Sequence, residues 1–235
     1  VAEGVDFSVV NPDKDLISYA YAKKGSAAYS SGLPVQAGTY IIRAVNRVTN
    51  EKAETELTIN PKTVTQEMQN SIVLTEQQYY TGTARTPKIK IYDGKTLLIE
   101  NTDYVLSYSN NVNVATDTSG IAPVISIKGI NNYQGTLTYK FTILYQTAGS
   151  LYLNGKVITG SKTYYINGNL PVFTADTGYT IYYSAQADMS DASTVMADTS
   201  SYSEGEERSY YIQLINKKGE RSEPAYVHCI KDTVP

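Results

Sequence analysis

The sequence predicts an all-β chain, built as a string of small β-sandwich modules in an elongated array. Three observations predict it. Three segments each read as an alternating apolar strand, a polar turn and a second alternating strand: Thr39–Val45 into Glu54–Ile59, Val124–Ile127 into Thr136–Ile143, and Tyr210–Ile215 into Ala225–Ile230. Long amphipathic helical patterns are absent throughout. The aromatic content is Tyr 22 against Phe 3 and Trp 0. Tyrosine suits a half-buried strand, because the ring packs while the hydroxyl reaches water. A length of 235 residues accommodates one to three domains, and a module of about 60–90 residues folds alone around a thin core.

The first module is expected over residues 1–61, short and lacking an N-terminal strand. Ile17–Ala22 reads as a strand, Lys23–Gly25 as a turn, and Ala37-Gly38-Thr39 as the entry to the penultimate strand. There Tyr40, Ile42 and Ala44 share one face by the period of two, and Ile41, Arg43 and Val45 the other. Glu54–Ile59 closes the module, stopped by Asn60-Pro61 because proline cannot donate to a ladder.

The second module is expected over residues 62–144. Thr63–Asn70 fits a strand or one helical turn, and strand is the favoured reading. Lys88–Tyr92 alternates and runs into Asp93-Gly94, a hairpin turn signal. Asp103–Ser109 follows, with Tyr104, Leu106 and Tyr108 on one face. Asn110–Asn113 is a turn, Val114–Gly120 a polar loop, Val124–Lys128 a strand and Gly129–Gly135 a turn. Thr136–Ile143 is the last strand, with Leu137, Tyr139, Phe141 and Ile143 inward.

The third module is expected over residues 145–235. Leu151-Tyr152-Leu153 meets Asn154-Gly155, the best type I′ turn signal in the chain, and Lys156–Thr159 returns. Thr163–Ile166, Val172–Ala175, Tyr179–Ser184, Tyr210–Ile215 and Ala225–Lys231 are further strands, and Asp188–Asp198 is a short helix or a loop. About seven short strands at regular spacing point to sandwiches of immunoglobulin type. Short linkers, Asn60-Pro61-Lys62 and Leu144–Thr147, predict restricted hinges.

The second module carries a resemblance. Tyr80-Thr81-Gly82, Thr86-Pro87, Asp93-Gly94, Asp103-Tyr104 and Ser107-Tyr108-Ser109-Asn110-Asn111 stand in order, followed by Gly129, Asn132-Tyr133, Gly135, Phe141 and Ile143. Over Lys62–Leu144 the chain resembles the tandem bacterial Ig-like repeats of Gram-positive cell-surface and secreted proteins. It departs from their pattern at Val114–Ser119, where a longer loop is expected. The first module resembles a related surface repeat through Tyr19-Ala20-Tyr21 and Ala37-Gly38-Thr39-Tyr40. The third is loosely similar to Ig-like or fibronectin-III-like modules through Asn216–Gly219 and Lys231–Pro235. The resemblance implies an extracellular spacer or adhesion role with no shared catalytic residues. Some modules of this kind cross-link a core lysine to an asparagine. Here Lys88, Lys90 and Lys140 fall on outward positions, so no such link is expected.

The net charge of -3 and the lack of a basic stripe argue against nucleic-acid partners. No apolar run approaches the roughly 20 residues that span a bilayer, so no membrane insertion by this segment is expected. One cysteine excludes an intrachain disulfide, and one histidine with it leaves no zinc set. His228 and Cys229 are adjacent in a strand and point to opposite faces, so they cannot act together. The carboxylates at Asp13/Asp15, Asp188/Asp191 and Glu204/Glu206/Glu207 lack the spacing of a calcium loop. Neither a Gly-x-Ser-x-Gly elbow nor a phosphate loop is present. No catalytic residue, metal site or cofactor is therefore predicted, and the chain is read as a non-enzyme.

Tyrosines carry the one functional hint. If Tyr179, Ile181 and Tyr183 point inward, as do Tyr210, Ile212 and Leu214, then Tyr182 and Tyr211 face solvent, joined by Tyr165. Exposed rings with few charges stack on sugars or bury in a protein partner; the plainer reading is that they cover a thin sandwich or a module joint. The expected function is a monomeric, non-catalytic extracellular spacer or adhesion region of a larger bacterial surface protein. Its partners would be a host protein, a glycan or neighbouring modules. The alternative is an accessory, carbohydrate-binding region of a secreted multimodular enzyme. The start at Val1 and the run of Lys231–Pro235 into a linker fit a piece cut from a longer polypeptide.

Overall fold

The computed structural model describes residues 16–167, 170–196 and 198–232. Asp13, Asp15 and the last three residues lie outside this set. The chain is nearly all β. Residues 16–61 give β1 (Ile17–Lys23), β2 (Gly38–Asn46) and β3 (Lys52–Ile59). Next come β4 (Lys62–Thr63), α1 (Gln66–Asn70), β5 (Val73–Leu74), β6 (Gln78–Tyr79), β7 (Ile89–Lys90), β8 (Tyr92–Asp93) and β9 (Thr96–Leu97). They are followed by β10 (Tyr104–Ser109), β11 (Val124–Gly129), β12 (Tyr133–Gln134), β13 (Thr136–Lys140) and β14 (Ile143–Leu144). The remainder is β15 (Leu151–Leu153), β16 (Lys156–Val157), β17 (Lys162–Ile166), β18 (Phe173–Ala175), β19 (Tyr179–Ser184), β20 (Glu207–Asn216) and β21 (Ala225–Lys231).

These elements group into two compact units. The first takes the described residues up to Thr75 with Lys88–Ser109 and Val124–Tyr139; the second takes Glu76–Pro87, Asn110–Pro123 and Lys140 onward. In the first unit β1, β2 and β3 form an antiparallel sheet in which Ala20 faces Arg43 and Ile42 faces Thr55. Residues 16–61 contribute this one sheet among the described residues, rather than the two layers of a sandwich. Every residue of β2 is consequently half-buried, and a hollow of about 320 Å³ lies over Tyr19, Tyr21, Ile42 and Ala44.

Three expectations in the first unit are corrected. Residues 66–70 are helical, not strand: the Thr65 hydroxyl caps the turn by accepting from Met68 N at 3.4 Å, and burying Met68 holds it. The alternating run at Lys88–Tyr92 is not one strand, because β7 pairs with β5 whereas β8 pairs with β9, and fully buried Ile91 sits at the switch. The hairpin turn is shifted by one residue. Asp93 pairs with Thr96, so Gly94 and Lys95 are the central positions, and only Gly94 has positive φ, at 57°. That matches a type II′ turn, which asks for glycine first. In addition, the supposed turn 129–135 contains β12, which runs parallel to β4.

The last expected strand of the middle segment is also broken. β13 ends at Lys140, and β14 leaves its sheet to pair in parallel with β6. Residues 150–232 fold as a two-layer β-sandwich of immunoglobulin type. One sheet has the order β16-β15-β18 and the other β17-β21-β20-β19, with β17 parallel to β21 and the rest antiparallel. The type I′ turn is as expected, with Asn154 and Gly155 at φ 49° and 77°. Leu151, Leu153 and Phe173 from the smaller sheet meet Ile166, Tyr210, Ile212, Leu214, Val227 and Cys229 from the larger. Phe173 holds Tyr210 edge-on at 5.6 Å. The described residues of Asp188–Asp198 are loop, not helix.

Candidate functional site

The larger sheet of the sandwich has one face in the core and one outside. Alternation settles which is which. Tyr210, Ile212 and Leu214 of β20 and Val227 and Cys229 of β21 are buried in the core, and Tyr179, Ile181 and Tyr183 of β19 pack against them. The residues between them therefore point outward. Tyr182 and Tyr211 stand on the outer face, as their phase requires. Tyr165 is on the same face and 69% exposed.

Register decides which of these rings meet. Tyr211 pairs directly with Tyr226 across β20 and β21, ring centroids 5.2 Å apart and tilted by 50°. Tyr182 pairs with Gln213, which sets it diagonal to Tyr211, about 7–8 Å away by strand geometry. Tyr165 pairs with Ile230, four residues along β21 from Tyr226, or about 13 Å. The structure thus brings Tyr182 and Tyr211 into one group with Tyr226 and leaves Tyr165 at the far end of the face.

Beside the rings runs a chain of polar groups that sequence reasoning missed. The Ser209 hydroxyl lies 2.9 Å from the Tyr226 hydroxyl and 2.9 Å from His228 Nδ1. His228 Nε2 lies 3.3 Å from Glu207 Oε2. One proton assignment satisfies every member. Tyr226 donates to Ser209, Ser209 donates to Nδ1, and the Nε2–H donates to the Glu207 carboxylate. Tyr226, His228 and Ile230 share a phase in β21, and Ser209 and Glu207 share one in β20. The period of two was the available signal, but the match between strands needed the register.

A cavity of about 310 Å³ opens at the edge of β20, where β19 stops at Ser184 while β20 continues to Glu207, with its Tyr183 and Tyr210 walls on the core side of the sheet. Its walls include Tyr183, Tyr210, Val195, Asp191 and Arg208, and Ser209 belongs to its lining as well as to the polar chain. The charges around it are fixed by hydrogen bonds. The Ser184 hydroxyl donates to Asp191 and holds its carboxyl below the usual range. Ser200 does the same for Asp198, and the Ser203 N–H followed by Arg208 does so for Glu206. Arg208 is already engaged: it contacts Glu206 at 2.6 Å, Asp198 at 3.4 Å and the Ser200 carbonyl at 2.9 Å, and lies 4.1 Å over the Tyr202 ring. No group of three metal-ligating side chains occurs among the described residues. Nor does any described helix have the length and apolarity to cross a membrane.

No known protein family matches the chain, and no curated protein does. Among solved structures the chain is similar to domains 7, 8 and 9 of the S-layer protein SbsC, at 11% identity over 95% of this chain and 83% of that one, with a TM-score of 0.32. Extracellular domains 3–5 of Drosophila OTK match at 9% identity over 94% and 88%, TM-score 0.23. The sialic-acid-binding region of a Streptococcus sanguinis adhesin matches at 10% identity over 85% and 56%, TM-score 0.22. These neighbours are multidomain β proteins, and likeness at this level leaves the chain's own sheets and registers as the ground for its fold.

Proposed function

We propose that this chain is a non-catalytic, extracellular spacer and adhesion region of a larger bacterial surface protein. It would be monomeric and divided into modules 1–61, 62–144 and 145–235. The carrying observation is the outer face of the β17-β21-β20-β19 sheet. The sandwich fills its core from the opposite face, which leaves Tyr165 exposed and Tyr182, Tyr211 and Tyr226 half-buried on the outer one. The resemblance of Lys62–Leu144 to Gram-positive surface repeats supports the same setting. The alternative, an accessory region of a secreted multimodular enzyme, draws on the same tyrosines through their fit to polysaccharide.

The Ser209–His228–Glu207 line has the residue types of a hydrolytic triad, yet it lies along a sheet face with the serine hydroxyl also bonded to Tyr226. The experiment is a pair of assays on residues 1–235. Beads coated with the chain are expected to adhere to immobilised extracellular-matrix proteins or polysaccharides, and no ester or glycoside in a chromogenic panel is expected to turn over. Turnover abolished by Ser209→Ala, or beads that adhere to nothing, overturns the reading.

A further inference from the structure

We infer that the free edge of β17, with the groove beside it, is a docking site for an extended, acidic protein segment that joins the sheet as an added strand; this rests on the adhesion reading above and names the chemistry of its partner. The backbone supplies the first ground. β17 is an outermost strand of its sheet and pairs with β21 on one side only. The Ile166 carbonyl accepts from Asp232 N at 3.0 Å, so the backbone groups of Ile166, Tyr164 and Lys162 turn towards β21. Those of Thr163 and Tyr165 turn the other way. They have no backbone partner among the described residues, and both residues are exposed. Two N–H and two C=O groups therefore lie open along an edge about 16 Å long. Neither a proline nor a bulge blunts it.

The groove supplies the second. Its volume is about 680 Å³, and it is bounded by β17 and by the smaller sheet. Leu153 and Val157 give it an apolar side, and Tyr165, 69% exposed, stands at its rim. A strand added antiparallel to β17 sends alternate side chains into the groove and the others to the outer face. Its residue opposite Tyr164 points inward, where an aliphatic group packs on Leu153 and Val157. A second copy of β17 would offer its own Tyr164 at that position, a ring already packed against its own core, so the groove would stay unfilled.

Charge selects the partner. Lys156 pairs with Leu153 and shares its face, and Lys162 has the phase of Tyr164, so both lysines line the groove. Lys162 Nζ meets the neutral Thr159 hydroxyl at 3.2 Å, and neither lysine has a carboxylate partner among the described residues. The carboxylate in the lining, Asp232, lies at the Ile166 end. On a chain of net charge -3 this is a local excess of positive charge, and it asks for acidic residues at the Lys162 end of the added strand.

The test titrates residues 1–235, at low ionic strength, with labelled peptides capped at both ends. Val-Thr-Val-Thr-Glu-Glu, laid antiparallel, puts its valines in the groove, its threonines opposite Tyr165 and Thr163, and its glutamates at the lysine end. It is expected to bind, and Val-Thr-Val-Thr-Lys-Lys at least tenfold more weakly. N-methylation of the two threonines removes the donors to the edge carbonyls and is expected to weaken binding at least tenfold. Thr163→Pro deletes an edge N–H that β21 does not use, and should do the same with cooperative melting retained. Lys156→Glu combined with Lys162→Glu should reverse the preference between the two peptides. Bound peptide should slow amide exchange at Thr163 and Tyr165. No binding by the acidic peptide, equal binding by the lysine one, or unchanged affinity after N-methylation or in folded Thr163→Pro overturns the site, as does a dimer of the chain that Thr163→Pro abolishes. If coated beads still adhere to a matrix protein or polysaccharide while the peptides fail, the edge site falls and the adhesion reading stands.

Discussion

Cys229 shows how a single buried group ties pH to stability. It is fully buried in the sandwich core, and burial pushes its thiol from an ordinary 9.0 to about 11. Between those values the unfolded chain gives up the thiol proton while the folded chain keeps it. The stabilisation is therefore complete below pH 9 and is lost as pH rises through about 11, a loss of about 2–3 kcal/mol at about 1.4 kcal/mol per tenfold change in proton affinity. Urea midpoints should fall between pH 9 and 11, and less steeply in Cys229→Ala. A thiol reagent at pH 8 should label Cys229 only when the chain is unfolded. In the first unit Tyr133 acts in the same direction at higher pH. Burial, then the Asp93 carboxylate 3.2 Å away, carry it to about 12. At this scale the sequence was informative wherever alternation suffices. His228 and Cys229 do lie on opposite faces, and Tyr182 and Tyr211 do face outward. The bonds from Ser209 to Tyr226 and His228 were not legible, because a cross-strand partner depends on register and nothing local in β20 or β21 declares it.

Elements fail or hold through a few backbone bonds, and α1 is an example. The Ser71 hydroxyl accepts from Tyr92 N at 2.8 Å and lies 2.7 Å from the Met68 carbonyl, fastening the helix end to β8. Ser71→Ala should leave the Tyr92 N–H without that acceptor and destabilise the chain by about 1–3 kcal/mol, read from the denaturation midpoint. Gly129 ends β11 where a Cβ would come within 2.8 Å of Gln134 N and 2.9 Å of the Tyr133 carbonyl carbon, both rigid backbone. Gly129→Ala should therefore cost about 1–3 kcal/mol and loosen the β12–β4 ladder, seen as faster amide exchange at Gln134. Element type was readable for long alternating runs such as β2, β19 and β21. It was misread where short pieces change partner. A period of two at Lys88–Tyr92 is equally compatible with one strand and with two ladders, and only the packing of Ile91 separates them. The helix at 66–70 is shorter than any window in which a 3.6-residue period would show.

For the whole molecule the question is which segments fold alone. The sandwich draws both its sheets and its core from residues 150–232, so a fragment of residues 145–235 has what independent folding requires. It would still lose a set of contacts made within the second unit. There Arg221 N donates to the Tyr80 carbonyl at 2.8 Å, and Tyr145 meets Tyr80 edge-on at 5.6 Å. A fragment of residues 16–61 is in the opposite position. It has one three-stranded sheet, and its Ala37 N–H is bonded at 2.6 Å to Asn132, which the fragment lacks. Three strands without a covering layer are marginal in water. The expected outcome is that 145–235 unfolds cooperatively with dispersed amide resonances, at a lower midpoint than the full chain, whereas 16–61 gives the narrow amide dispersion of an unfolded peptide. If 145–235 is unfolded as well, the proposed three-module division is wrong, and the two compact units, each drawing on several stretches of sequence, are the pieces that fold.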